Sequence, residues 1–200
     1  MNDDPLDACS DQPRDAPEDS PPQPPRPRFV IDHMLIKLGK YLRILGYDAA
    51  WDKSLRTHEL IRRANAEQRV FLTCNRRLVA QYPIPDRVVL VGEHDPVKQL
   101  QSLITSLALT PTANLFSRCI RCNVELHEVV DRAQVQSRAH PRILACYPRI
   151  YTCPHCNTVF WRGSHVRNTC RRLGLPSVDD LAAALAAEGR LVQNRVSRPL

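Results

Sequence analysis

Glycine is scarce in this chain, six residues in 200. Phosphate cradles such as the P-loop and the GxGxxG turn need several glycines at fixed spacing, and neither motif occurs, nor does a GxSxG nucleophile elbow. The common nucleotide-binding and serine-hydrolase classes are thereby excluded. No apolar run approaches the roughly 18 residues of a membrane-spanning helix. The opening MNDDPLDACSDQPRD is too acidic and too interrupted for a signal or transit peptide. A cytoplasmic protein with no membrane partner is expected. Apolar residues make up 43% of the chain, which rules out wholesale disorder.

Lysine is also scarce, four residues against 24 arginines. The net charge of +7 conceals a split. Residues 1–28 carry seven acids against three arginines, whereas residues 29–200 carry 25 basic side chains against 14 acids. A basic body of this size suits a polyanion, nucleic acid above all. A GC-rich genome would give the same arginine bias with no such partner, and charge alone does not separate the two.

Residues 1–28 hold eight of the 17 prolines and end in PPQPPRPR, which reads as a disordered or polyproline-like tail. A solvated extension is favoured there over a ligand for a proline-binding module. Strands are expected at Phe29–Ile31, Tyr47–Trp51, Arg69–Thr73 and Arg87–Val91. Helical spacing joins Met34, Leu35, Leu38, Tyr41, Leu42 and Leu45, with Gly46 just past the end. A second helix follows with Thr57 as its N-cap, a short one opens at Asn75, and an amphipathic one spans Asp95–Leu109. Strand–helix alternation predicts an α/β domain over 29–112, its mainly parallel sheet flanked by helices. Residues 113–172 hold six cysteines and ten arginines with little periodicity. Residues 173–200 predict a last helix, Ser177 to Gly189, and a frayed end.

The pairs Cys119-Ile-Arg-Cys122 and Cys153-Pro-His-Cys156 lie 30 residues apart. Each CxxC turn sets two sulfurs about 3.5–4 Å apart, and two such knuckles close a tetrahedron around Zn²⁺ with bonds of about 2.3 Å. Four thiolates leave no open position, so the zinc is expected to be structural, in a small zinc ribbon whose folding depends on it. Redox dithiols are the weaker reading without a thioredoxin-like context. His155, Cys146 and His140 are inferior ligands because two complete pairs already fill the site. Cys9, Cys74 and Cys170 read as free thiols. Arg118, Arg121, Arg162 and Arg167 surround the knuckles with His165 and Trp161, and Arg149, Tyr151 and Phe160 add to the set. Basic groups interleaved with aromatics suit phosphate contact and base stacking. Trp161 serves equally well as a plug beneath the ribbon.

In open parallel sheets, sites form beyond the carboxyl ends of the strands. Asp32, Asn75 and Asp95 follow the expected strands, and Glu59 opens the second helix. Acids gathered there hold Mg²⁺ or Mn²⁺ and activate water against a phosphodiester. The competing reading is that Asp32, Asn75 and Asp95 are simply helix N-caps, which any α/β protein places at this edge.

The stretches FVIDHMLIKLGKYLRILGYDAAWD, HELIRRANAEQRVFLTCNRRL, RCIRCN and CPHCNTVFWRGSH resemble, in this order, the Mut-seven C-terminal RNase domain family. The resemblance covers about residues 29–168. It implies a PIN-like nuclease fold with a zinc ribbon and a metal-dependent ribonuclease activity. It also implies Asp32 as the family's first acid and Glu59 as a second. The family pattern after the third strand is Thr-Arg-Asp, whereas this chain has Thr73-Cys74-Asn75. The amide removes one negative charge, worth on the order of 4 kcal/mol per cationic charge at 4 Å and an effective dielectric of 20. Three readings follow: an active ribonuclease using Asp32, Glu59 and Asp95; an RNA-binding module on a weakened nuclease; and a protein-interaction scaffold. RNA is the expected partner in the first two. Residues 117–172 alone carry ten arginines against three acids, so the positive charge sits with the cysteines.

Overall fold

A computed structural model describes residues 26–80, 84–110 and 114–175. Most of the proline-rich tail and the helix expected from Ser177 lie outside these residues. Four short strands form the main sheet: β1 (Phe29–Ile31), β2 (Ala49–Ala50), β3 (Val70–Thr73) and β4 (Val88–Leu90). Their order is β2-β1-β3-β4 and every pairing is parallel. All residues of β1 and β3 are buried, as expected of strands covered on both faces.

Alternation along the strands divides the core in two. Val30 and Phe71 face α2 (Thr57–Ala66), packing on Leu60, Ile61 and Ala64. Phe29, Ile31, Val70 and Leu72 face α1 (Ile36–Ile44) and α3 (Pro96–Ser106), against Leu38, Leu42, Leu100 and Leu103. The chain enters α1 through a single 3₁₀ turn, His33–Leu35, because Asp32 caps it by accepting the His33 N–H. Gly46 follows α1 with φ +81°, and a Cβ there would lie 2.1 Å from the Asn114 carbonyl oxygen. Both the backbone angle and the close approach require glycine.

Two expected boundaries move. The second helix is capped at Arg56 rather than Thr57, because the Glu59 carboxylate reaches back to the Arg56 N–H at 2.7 Å. The second strand shrinks to two residues, since Tyr47 turns its ring into the core and its hydroxyl accepts the Thr110 N–H at 2.8 Å.

Beyond α3 lies a lobe with its own antiparallel sheet, β5 (His127–Glu128), β6 (Ile150–Thr152) and β7 (Val159–Trp161), and a short α4 (Pro141–Cys146). Its small core comprises Val135, Ala139, Ile150 and Val159. The chain then forms α5 (Ser164–Leu173), whose Val166, Cys170 and Leu173 pack back into the main core beside α3. No helix among the described residues is long and apolar enough to cross a membrane.

Candidate active site and metal centre

The chain runs outward from β1 to β2, then back across β1 to β3, so the winding reverses between β1 and β3. A crevice opens beyond the carboxyl ends of two strands at such a reversal. Asp32 follows β1 at this point and is only 6% exposed. Its Oδ2 accepts the Thr73 hydroxyl at 2.5 Å and its Oδ1 accepts the His33 N–H at 2.7 Å. Thr73, fully buried at the end of β3, also accepts the Asn75 N–H on its Oγ1 at 3.1 Å. Thr73 thus orients the carboxylate, a role that strand propensity had hidden. The half-buried His33 ring has Nδ1 3.8 Å from Asp32 Oδ1 and Nε2 3.2 Å from the Asp52 carbonyl oxygen.

The remaining polar groups of this edge serve their own backbones. Glu59 holds the Arg56 N–H. Asn75 accepts the Arg77 N–H at 3.0 Å, opening the 3₁₀ turn Arg76–Ala80. Asp95 caps α3 by accepting the Lys98 and Val97 N–H groups, which hold its carboxyl below the ordinary range. Asp32 alone among the four is buried. Among the described residues, the acids of this edge form no group of three close enough to share an ion, whereas the four cysteines do.

The cysteine centre is built from two matching turns. Cys119 N–H bonds to the Val124 carbonyl and Asn123 N–H to the Cys119 carbonyl; Cys153, Thr158 and Asn157 repeat the pattern. Asn123 and Asn157 occupy the left-handed region at φ 66° and 56°, which asparagine tolerates better than most residues. The Cys122 and Cys156 N–H groups each approach the first sulfur of their own pair at 3.4 Å. All four sulfurs lie within 4.8 Å of one another, and Cys119 Sγ is 3.8 Å from Cys156 Sγ. That separation matches the edge of a tetrahedron with bonds of about 2.3 Å, so the set can hold a metal ion such as zinc.

Thiols so crowded cannot all ionise without a cation. The nearby Thr158 hydroxyl leads in pulling Cys156 down to about 6, while burial and the neighbouring sulfurs push Cys122 up to about 12.

The first knuckle is bolted to the sheet domain. Arg43 of α1, 3% exposed, donates from Nε to the Ala49 carbonyl at 2.8 Å. Its Nη1 donates to the carbonyls of Ile120 and Arg121 at 3.0 and 2.8 Å. The guanidinium also lies over the Trp51 ring, 3.3 Å from its centroid. Burial draws it down to about 10, against the opposing pull of Cys119, Asp48 and Cys122. Asn123 completes the joint by accepting the Ala49 N–H at 3.0 Å and donating to Asp48 at 2.6 Å. Nothing in the spacing of the cysteines signals that the Asn123 side chain satisfies the free edge of β2.

The expected nucleic-acid contacts scatter. Arg118 donates to the Asn123 carbonyl and, at 3.3 Å, to Glu125, while Arg121 is exposed on the knuckle. Arg162 lies 6.0 Å from the Tyr151 ring centroid. Arg167 is exposed on α5, and His165 falls in that helix's first turn. Trp161 packs into the lobe's own core, its ring 6.3 Å from that of Tyr147.

Comparison with curated proteins gives no match. The model of the Mut7-C RNAse domain family matches residues 27–173, from two residues before β1 to the last residue of α5. Sheet domain, cysteine lobe and returning helix therefore all fall within the matched span, and the chain belongs to the Mut7-C RNAse domain family.

Proposed function

We propose that the chain is a divalent-metal-dependent ribonuclease of PIN-like architecture, hydrolysing RNA phosphodiesters, with a structural zinc ribbon that helps to hold the RNA. The observation that carries this reading is the buried Asp32 carboxylate at the winding reversal, oriented by Thr73, in a chain of an RNase family. Each Asp32 oxygen takes one hydrogen bond within the protein, and a carboxylate oxygen has a second lone pair for a cation. Asp32 would be the first ligand of Mg²⁺ or Mn²⁺, with Glu59 and Asp95 joining once their carboxylates leave the backbone groups they cap. Such an ion supplies charge stabilisation at the phosphodiester and lowers the pKa of bound water. The basic lobe neutralises RNA phosphates, and free thiols suit a reducing, cytoplasmic setting.

A second reading, an RNA-binding module with little turnover, draws on Asn75. The amide stands where the family pattern has an acid, and it is occupied in capping Arg77. Incubation with labelled single-stranded RNA and Mn²⁺ separates the two. Cleavage lost in Asp32→Asn supports the nuclease. Cleavage unchanged in that variant overturns it, and salt-sensitive binding with no cleavage by the native chain favours the second reading.

A further inference from the structure

The two strands that flank β1 each brace one side chain at its carboxyl end. On one side β3 supplies the Thr73 hydroxyl, which fixes the Asp32 carboxylate at 2.5 Å. On the other side the segment after β2 supplies the Asp52 carbonyl oxygen, 3.2 Å from His33 Nε2. A carbonyl oxygen can only accept, so Nε2 carries the proton of that contact and the neutral ring keeps its lone pair on Nδ1. Nδ1 lies 3.8 Å from Asp32 Oδ1, too far for a hydrogen bond between the two. Atoms sharing an ion with bonds of about 2.1 Å stand about 3 Å apart as neighbours and about 4.2 Å apart as opposites. The observed separation falls between these limits.

We infer that His33 is a second protein ligand of the divalent ion, binding through Nδ1 beside Asp32, and that this nitrogen makes the site favour first-row transition ions over Mg²⁺. The inference rests on the ribonuclease reading, which requires such an ion at Asp32. A metal-bound imidazole almost always donates its other N–H to a carbonyl, carboxylate or water, which fixes both ring and tautomer. The Asp52 carbonyl already does this for His33. The His33 side chain is 34% exposed, and among the described residues Nδ1 is not one of the buried polar atoms left without a partner, so it opens to solvent. Imidazole suits first-row transition ions, whereas Mg²⁺ is held by carboxylates, carbonyls and water. Asn75 contributes to the same preference, because an amide there offers Mg²⁺ less negative charge than a carboxylate would.

The experiment uses the full zinc-loaded chain with Mn²⁺ as the probe, a paramagnetic ion that prefers oxygen ligands and competes poorly for thiolates. Electron spin-echo modulation of the bound Mn²⁺ should show coupling to ¹⁴N, replaced by the ¹⁵N pattern when the chain carries ¹⁵N-histidine. His33→Gln should abolish the coupling and weaken Mn²⁺ about tenfold, while Mg²⁺ affinity, read by competition, changes less than about threefold. If His33→Gln fails to fold, a double variant of the sheet domain's other histidines, His58→Gln with His94→Gln, decides. It keeps His33 and should keep the coupling, and loss of the coupling there overturns the inference. Mn²⁺ binding that Asp32→Asn abolishes, but that shows no histidine coupling in the native chain, overturns the His33 ligand and leaves the ion at Asp32 intact. Coupling that persists in His33→Gln has the same consequence. Mn²⁺ binding that is absent, or unchanged in Asp32→Asn, overturns the Asp32 metal site and the His33 ligand together.

Discussion

Arg43 Nη1 donates to the Arg121 carbonyl at 2.8 Å, joining residues 78 positions apart across the boundary between sheet domain and cysteine lobe. A single guanidinium satisfies three carbonyls there, one on β2 and two on the knuckle. Arg43→Met should cost about 3 kcal/mol, because it leaves those carbonyls without their charged donor. Arg43→Lys, with one compact ammonium in place of a planar fork, should fall between. Urea unfolding at fixed pH gives both values.

That joint changes what metal removal does. One zinc per chain is expected by elemental analysis, and Cys119→Ser should lose it and unfold the lobe. The sheet domain should persist with a lowered midpoint, because Arg43 and Asn123 lose their knuckle partners. A midpoint unchanged by Cys119→Ser, followed by near-ultraviolet dichroism, would show that the two halves do not support each other.

Acid should weaken the same joint. Burial raises the Asp48 carboxyl, but hydrogen bonds from Arg69 and Asn123 outweigh it and leave it below its ordinary value. Arg69 lies 2.7 Å from it. A carboxyl lowered by folding contributes stability above its unfolded pKa of about 3.9, and that contribution disappears as pH falls through the folded value. Asp48→Asn should therefore be less stable than the native chain at pH 7, and the gap should close below about pH 4. Denaturation midpoints measured from pH 7 to pH 3 check the sign.

Thr73→Val removes the hydroxyl that orients Asp32 and should cost about 1–3 kcal/mol, with Thr73→Ser restoring most of it. Divalent affinity, followed by calorimetry with Mn²⁺, should fall in the valine variant and recover in the serine one. Equal affinity in all three would remove Thr73 from the site.

Asn75→Asp supplies the negative charge that the family resemblance implies at this position. Mn²⁺ should bind at least tenfold more tightly, a modest share of the Coulomb energy of one added charge near a dication. Cleavage that rises with it would identify Asn75 as a natural attenuation of the nuclease.

The parallel sheet was legible because FVI and VFL are short, wholly apolar runs followed by polar residues. The cysteine centre was legible because CxxC spacing is a local geometric constraint. Capping by Asn75 and Asp95 was legible for the same local reason. Arg43 was not, since an arginine in an amphipathic helix reads as solvated unless its distant carbonyl partners are known. Nor was α5 expected, because SHVRNTCRRL is strongly polar and buries only the few apolar residues that a neighbouring helix needs covered.

The returning helix also sets a timetable. Phe29 opens the main core and Leu173 closes it, so the first strand leaves the ribosome long before the helix that completes its packing. Until then Leu100 and Leu103 lack the cover of α5, and β2 lacks Asn123. Contacts so distant in sequence slow folding and prolong exposure of apolar surface. The nascent sheet domain therefore cannot complete its core until α5 has been synthesised.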